Sequence, residues 1–213
     1  MKLLVIGATG FLGGCLMRSH DTRFERFAFD RTACDVTDPR SVRSSFEKAR
    51  PEVVALTAAL ADIDRCEREP DLARAINVSG AENVARECAG IGARLLFTSS
   101  AAVFNGDADE YRETAPPNPS SVYGKTKAEA EHVIRKLVPD AAIVRLSLAL
   151  GFSPHGGTNA LLDKLESAFR KGSPIYAPAN ESRNAIDTEM RRSARVMTDE
   201  IHARHKELEA TKL

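Results

Sequence analysis

The chain has 213 residues, 43% of them hydrophobic, with 30 Lys and Arg against 30 Asp and Glu. That length and composition suit one large domain, or one domain with a small lobe, and argue against global disorder. A formal charge of zero gives no electrostatic case for binding nucleic acid or an anionic membrane. No apolar stretch approaches membrane-spanning length, and the apolar run at 3–6 is too short for a secretory leader. The four cysteines, Cys15, Cys34, Cys66 and Cys88, show no C-x-x-C pairing and suit a reducing cytoplasm, which is the expected compartment. No metal site is expected.

Leu3 to Ile6 reads as a buried strand that stops at Gly7. Gly7, Gly10 and Gly13 then follow at the spacing G-x-x-G-x-x-G, and a helical pattern starts at Phe11. Such a turn can be only a turn. Strand before and helix after point instead to a dinucleotide-binding turn. One glycine permits the sharp turn, one removes a side chain where backbone meets a pyrophosphate, and one lets the helix pack close to the sheet. The helix amides and dipole then face the phosphates.

Phe27 to Phe29 is a second strand, closed by Asp30. An acid at this distance from the turn meets an adenosine ribose, or is a solvated strand-end carboxylate. Arg31 follows and could meet a 2′-phosphate, so both NAD and NADP stay open. Asp38 and Pro39 start an amphipathic helix ending before Pro51. Val53 to Leu56 is a third strand, and Thr57, Ala58 and Ala59 follow with small side chains where a cofactor would pass. Helical stretches are predicted over 71–77 and 80–90, with Gly90 and Gly92 as the stop. Leu95 to Phe97 is the fourth strand. It ends in Thr98, Ser99 and Ser100, at the carboxyl edge where open parallel sheets bind ligands.

The proline-rich stretch 105–121 reads as a loop, 121–137 as a long helix and 142–146 as a fifth strand. Strands alternating with helices predict an α/β fold with a doubly wound parallel sheet, Rossmann-like. After 151 the pattern weakens to a helix over 160–170, a short strand over 174–177 and a charged helix over 188–210. His202 and His205 have helical spacing but no supporting metal ligands, and read as a solvated face. We expect a dinucleotide-binding domain over 1–150 and a partial substrate-side region over 151–213.

Tyr123 and Lys127 stand four residues apart at the start of the long helix and share one face. A lysine ammonium beside a phenol would lower the phenol's pKa from about 10. The phenol could then give a proton to a carbonyl or take one from an alcohol. Many helices carry such a pair, so its weight comes from combination with the glycine turn, Asp30 and the serine-tipped strand.

Taken together, Gly7-Ala8-Thr9-Gly10-Phe11-Leu12-Gly13, Asp35-Val36-Thr37-Asp38, Asp64-Arg65-Cys66-Glu67, Asn77, Thr98 to Phe104, Tyr123-Gly124-Lys125-Thr126-Lys127 and Arg145-Leu146-Ser147 resemble the extended short-chain dehydrogenase/reductase superfamily. Within it the chain is most similar to the group of dTDP-4-dehydrorhamnose reductases and sugar-nucleotide epimerases. Leu56, Ala101 and Leu148 depart from the side chains usual there. The resemblance implies an NAD(P)-dependent oxidoreductase acting on a nucleotide-linked sugar. Tyr123 would be the acid/base, Lys127 would bind the nicotinamide ribose and tune Tyr123, and Ser100 would orient the substrate oxygen, with Ser99 as the fallback. NAD or NADP would lie along Gly7, Thr9, Gly10, Phe11, Leu12, Gly13, Asp30, Arg31, Asp35, Val36, Ala58, Ala59 and Asn77, besides Tyr123 and Lys127. Asn77 would also fill the family's structural asparagine position. The alternative in the same fold is a non-catalytic nucleotide-binding or regulatory protein. In relatives a substrate lobe completes the sugar cleft. The shorter stretch 151–213 is expected to give weak sugar-nucleotide affinity and self-association.

Overall fold

The computed structural model describes residues 1–19, 21–108, 110–150, 167–171, 173 and 185–187. Among them, β1 (Lys2–Ile6), β2 (Glu25–Phe29), β3 (Val53–Leu56), β4 (Arg94–Ser100) and β5 (Ala142–Leu146) form one five-stranded sheet in the order β2-β1-β3-β4-β5. Every pairing is parallel. This is the predicted Rossmann-like sheet. Its order reverses at β1, which places the ends of β1 and β3 side by side at the switch point where such sheets hold ligands.

The strands are buried on both faces, as apolar runs require. Leu4, Ile6, Val54, Leu56, Leu95 and Phe97 point to one layer. That layer is filled by Val42 and Phe46 of α2 (Pro39–Ala49), Val84 and Cys88 of α5 (Gly80–Ile91) and Ala130 and Ile134 of α6 (Val122–Leu137). Leu3, Val5, Val53, Ala55 and Leu96 point the other way, onto Leu16 of α1 (Phe11–Arg18) and Phe24. All four cysteines are buried free thiols, with Cys34 and Cys88 in the first of these layers. Burial raises the pKa of each.

The helix ends follow local chemistry. Asp38 caps α2 by accepting the Arg40 amide, with Pro39 in the first turn. Gly92, in the left-handed region at φ +69°, closes α5, so Gly92 rather than Gly90 is the stop. The helix predicted over 71–77 is α4 (Pro70–Arg74), which runs on into a π-helical turn, Ala75–Ser79. One short helix goes beyond the sequence reading: α3 (Ile63–Arg68), capped by the Asp62 carboxylate accepting from the Arg65 amide.

Beyond β5, the strands β6 (Leu148–Leu150) and β7 (Ala185–Asp187) pair in parallel as a separate two-stranded sheet. Residues 167–171 are helical, the end of the helix expected over 160–170. The strand expected over 174–177, the helix over 188–210, and His202 and His205 lie outside the described residues. No described helix is long and apolar enough to cross a membrane, and no described cluster of His, Cys, Asp or Glu could hold a metal ion.

Candidate active site

Two of the three glycines meet the backbone demands that the spacing predicts. Gly7 sits at φ +91°, and a Cβ there would come within 2.6 Å of the Ala58 amide nitrogen. The amides of Thr57 and Ala58 both donate to the Ile6 carbonyl at 3.0 Å, and the Thr57 hydroxyl donates to it at 2.9 Å. Gly7 is therefore the turn, pinned under the end of β3. A Cβ on Gly13 would collide with the Gly7 carbonyl, so Gly13 is the close approach of helix to strand. Gly10 differs. A Cβ there would meet only the Gly7 oxygen, at 3.2 Å. It is the N-cap of α1, with no side chain capping the helix and no acid in the first turn. A helix start with no side-chain cap, at an exposed glycine crowded only by the Gly7 oxygen, fits a pyrophosphate. Thr9 is exposed at this turn, and Phe11 and Leu12 are half-buried.

The adenosine end departs from expectation in detail. Asp30 lies at the tip of β2, beside a turn whose Gly7 amide donates to the Phe29 carbonyl at 2.9 Å. Its Oδ1, however, accepts from the Thr32 amide at 3.0 Å, the Thr32 hydroxyl at 2.7 Å and the Ala33 amide at 2.9 Å. These bonds hold its carboxyl below the usual range, led by that from Thr32. One oxygen thus closes a local turn. Asp35 does the same for Thr37, and Arg31 is near enough to help lower the Asp35 pKa. Val36 is buried, its side chain packed where Gly80 has no Cβ, and its carbonyl accepts from Asn83 at 2.9 Å. Its side chain belongs to the core.

Asn77 also takes a different part from the cofactor contact assigned to it. Its Oδ1 accepts from the Leu60 amide at 2.8 Å, and its Nδ2 donates to the Leu60 carbonyl at 3.1 Å and to Thr126 Oγ1 at 3.0 Å. It is buried, and these bonds use it as a brace between the Ala58–Ala59 loop and α6. The π-helical turn presents it there. Structural asparagine, the other half of the sequence reading, is the role the geometry supports.

At the carboxyl end of β4, strand alternation separates the two serines. Ser99 points into the core and donates to Glu131 Oε1 at 2.6 Å. Ser100 points the other way. Its Oγ accepts from the Ala102 amide at 3.1 Å, capping a 3-10 turn over Ala101–Val103, and its hydroxyl is near enough to Tyr123 to draw that phenol's pKa down. Tyr123 reaches Ser100 because α6 starts against that turn: a Cβ on Gly124 would collide with the Ala102 carbonyl. Ser121 caps α6 by accepting the Gly124 amide at 3.1 Å, and Glu67 of α3 accepts the Val122 amide at 2.8 Å. Thr126 donates to the Tyr123 carbonyl at 2.8 Å. Glu67, Gly124 and Thr126 stand within the motifs of the sequence but have no role assigned from it. The glycine directly after Tyr123 was the available signal.

Electrostatics corrects one expectation. Burial raises the Tyr123 pKa, and the Ser100 hydrogen bond pulls against that rise. Lys127 is not among the groups that set it. Its side chain is 1% exposed, with Nζ 4.1 Å from the centre of the Phe97 ring. Burial lowers its own pKa to about 7, with Glu131 opposing. A lysine with its pKa drawn down that far is only partly charged at neutral pH. Tyr123 thus stands as a protonated acid near neutral pH.

Curated relatives share this framework. The spore coat polysaccharide biosynthesis protein SpsK of Bacillus subtilis (strain 168) is 38% identical over 187 residues, covering 82% of this chain and 65% of that protein. The dTDP-4-dehydrorhamnose reductase of Streptomyces griseus is 40% identical over 161 residues, 74% of this chain and 52% of that protein. The methionine adenosyltransferase 2 subunit beta of Xenopus tropicalis is 33% identical over 165 residues, 70% of this chain and 47% of that protein. The chain therefore spans about half to two thirds of the length of these relatives. Among solved structures, a dTDP-4-dehydrorhamnose reductase from Clostridium acetobutylicum superposes with a TM-score of 0.84 at 29% identity, over 96% of this chain and 71% of that one. The Bacillus anthracis reductase in complex with NADP gives 0.73 at 30% identity, over 79% and 60%. The family model described as the RmlD substrate binding domain matches residues 1–208. The chain that carries the glycine turn, the serine-tipped strand and the tyrosine helix thus belongs to the RmlD substrate binding domain family, within the extended short-chain dehydrogenase/reductases.

Proposed function

We propose that this chain is an NAD(P)H-dependent reductase of a sugar carbonyl on a nucleotide-linked sugar, of the dTDP-4-dehydrorhamnose reductase kind. The observation that carries it is the placement of Tyr123, at the start of α6, against the Ser100 turn at the carboxyl end of β4, where a Cβ on Gly124 would collide with the Ala102 carbonyl. Names of relatives support it: the Streptomyces griseus protein is a dTDP-4-dehydrorhamnose reductase, and the Bacillus anthracis reductase holds NADP.

Gly7, Gly10 and the start of α1 would hold the pyrophosphate, and Ala58 and Ala59 would leave room for the chain of the cofactor beyond it. Reduced nicotinamide supplies a hydride when bound. Ser100 would orient the substrate oxygen by hydrogen bonding. Tyr123, kept protonated by burial, would give its phenolic proton to that oxygen. Lys127 would bind the nicotinamide ribose, whose hydroxyls would accept from its ammonium.

Two measurements test this. Incubation with dTDP-4-dehydrorhamnose and NADH or NADPH is expected to consume the reduced nicotinamide, in proportion to sugar added. The Xenopus tropicalis relative, named as a subunit of an adenosyltransferase, supports a second reading, a nucleotide-binding subunit without turnover. Cofactor binding with no turnover across a panel of nucleotide sugars would select that second reading. For the turn itself, Gly10→Glu is expected to weaken NADH or NADPH binding by about a hundredfold or more, because a carboxylate would occupy the pyrophosphate space and repel it. Fluorescence titration reads this directly, and native-like affinity in the variant would remove the cofactor from this turn.

A further inference from the structure

The loop 104–121, described at all its residues but 109, joins the Ser100 turn to the Tyr123 helix at the carboxyl end of β4. One side chain from outside it reaches it at several points. Arg145, on β5, donates through Nη1 to the carbonyls of Glu113 and Ala115, each at 3.3 Å. Its guanidinium carbon lies 5.0 Å from the centre of the Phe104 ring. Phe104 in turn stacks on Tyr111 at 4.2 Å between centroids, 13° from parallel. The Tyr111 hydroxyl gathers the loop tip, accepting from the Gly106 and Ala108 amides at 3.1 Å each and donating to Asn105 Oδ1 at 2.7 Å.

The same guanidinium grips the catalytic helix. Its Nε donates to Glu131 Oε1 at 3.0 Å and its Nη2 to Oε2 at 2.7 Å. The Glu131 side chain is 3% exposed and that of Arg145 15%, and Ser99 donates to Glu131 from β4 at 2.6 Å. Glu131 lies one turn beyond Lys127 on the same helix face. The arginine therefore carries a fork onto a buried carboxylate, a third nitrogen onto two loop carbonyls and a flat face onto an aromatic pair. Lysine offers none of this planarity.

We propose that Arg145 is a positioning residue that holds loop 104–121 as a preformed wall on the substrate side of the cleft. Nucleotide-sugar binding, rather than cofactor binding or proton transfer, depends on it. This rests on the reductase reading above. It names the element that shapes the sugar side of the site, and the residue on which that element hangs.

The informative variant is Arg145→Lys. It leaves a cation beside the buried Glu131, so the core is not left with an unpaired carboxylate, and it deletes the loop bonds and the stacking. With the full chain, KM for dTDP-4-dehydrorhamnose is expected to rise about tenfold, with kcat and the NADPH dissociation constant within about twofold of native. Tryptic cleavage after the exposed Arg112, followed by mass spectrometry, is expected to quicken by a similar factor as the loop comes free. Tyr111→Phe keeps the stack and is expected to give a smaller rise in both readouts. Unchanged KM with unchanged cleavage overturns the proposal, and so does a fall in kcat at constant KM, which would put Arg145 in the proton transfer. Should the native chain turn over no nucleotide sugar, the reductase reading fails by itself, and the cleavage rate still decides whether Arg145 holds the loop.

Discussion

Tyr123→Phe is expected to cost about a hundredfold or more in turnover while NADH or NADPH binds as to the native chain. The substitution removes one oxygen and keeps the ring, so the packing against Ser100 and the α6 start survives. What goes is the only transferable proton that the geometry holds beside Ser100 on this side chain. Burial raises the phenol's pKa and Ser100 draws it back, so the acid form persists through neutral pH. Reduction needs that form. Turnover in the reducing direction is therefore expected to hold through neutral pH and to fall as the medium becomes alkaline enough to ionise Tyr123. The same alkaline limb should vanish from whatever activity the phenylalanine variant retains. Native turnover in that variant would assign the proton to another group.

Lys127→Met is expected to push stability and activity in opposite directions. The native lysine is buried, and its pKa falls to about 7 against an unfolded value of about 10.4. Below pH 7 both folded and unfolded chains hold the proton, and the folded chain bears the full cost of a buried charge. Between those two values the unfolded chain keeps a proton that the folded chain has released, so this residue's contribution to stability improves as pH rises through the window. Methionine fills similar volume without a charge. The variant should melt roughly 5 °C or more higher at pH 6 to 7, with the gain shrinking toward pH 10. Its turnover should fall about a hundredfold or more, since no ammonium remains to hold the ribose. A calorimetric scan at several pH values tests the first part and steady-state rates the second. A variant that melts lower at neutral pH would show that Lys127 packs as a charged group in the folded chain.

Much of the fold is written in local pattern. Apolar runs followed by glycine or by an amphipathic helix give five parallel strands in the right places, because strands buried on both faces need continuous apolar side chains. The site is legible where one residue type fits one backbone demand, as at Gly7, Gly10 and Gly13. The choice of Ser100 over Ser99 agrees with the alternation of β4. Helix α3 escaped because Ile63 and Cys66 are too few apolar positions to make a period over six residues. Asp30 shows the limit of spacing arguments. The acid stands in the expected place, yet Thr32 two residues on captures its oxygen, as Asp-x-Thr turns do. The relation of Lys127 to Tyr123 misled for another reason: a shared helix face is local, but the depth at which that face lies is set by β4 and its Phe97. Arg145 is legible in the sequence as a strand residue inside a family motif, with no role of its own. Its partners, Glu131, Phe104 and the Glu113 and Ala115 carbonyls, come from elsewhere in the chain, and no periodicity encodes a meeting of that kind.

The four cysteine side chains have a consequence for how this molecule can be watched. Thiolate, not thiol, is the species that alkylating reagents capture, and burial suppresses both access and ionisation at Cys15, Cys34, Cys66 and Cys88. Each becomes reactive only while its own piece of the structure is open. They sit on separate pieces: α1, the turn before α2, α3 and α5. The rate at which each is modified therefore measures how often that piece opens. In a chain with no tryptophan to report by fluorescence, sulfur serves as the native reporter of motion, with one gauge beside the glycine turn and another under the tyrosine helix.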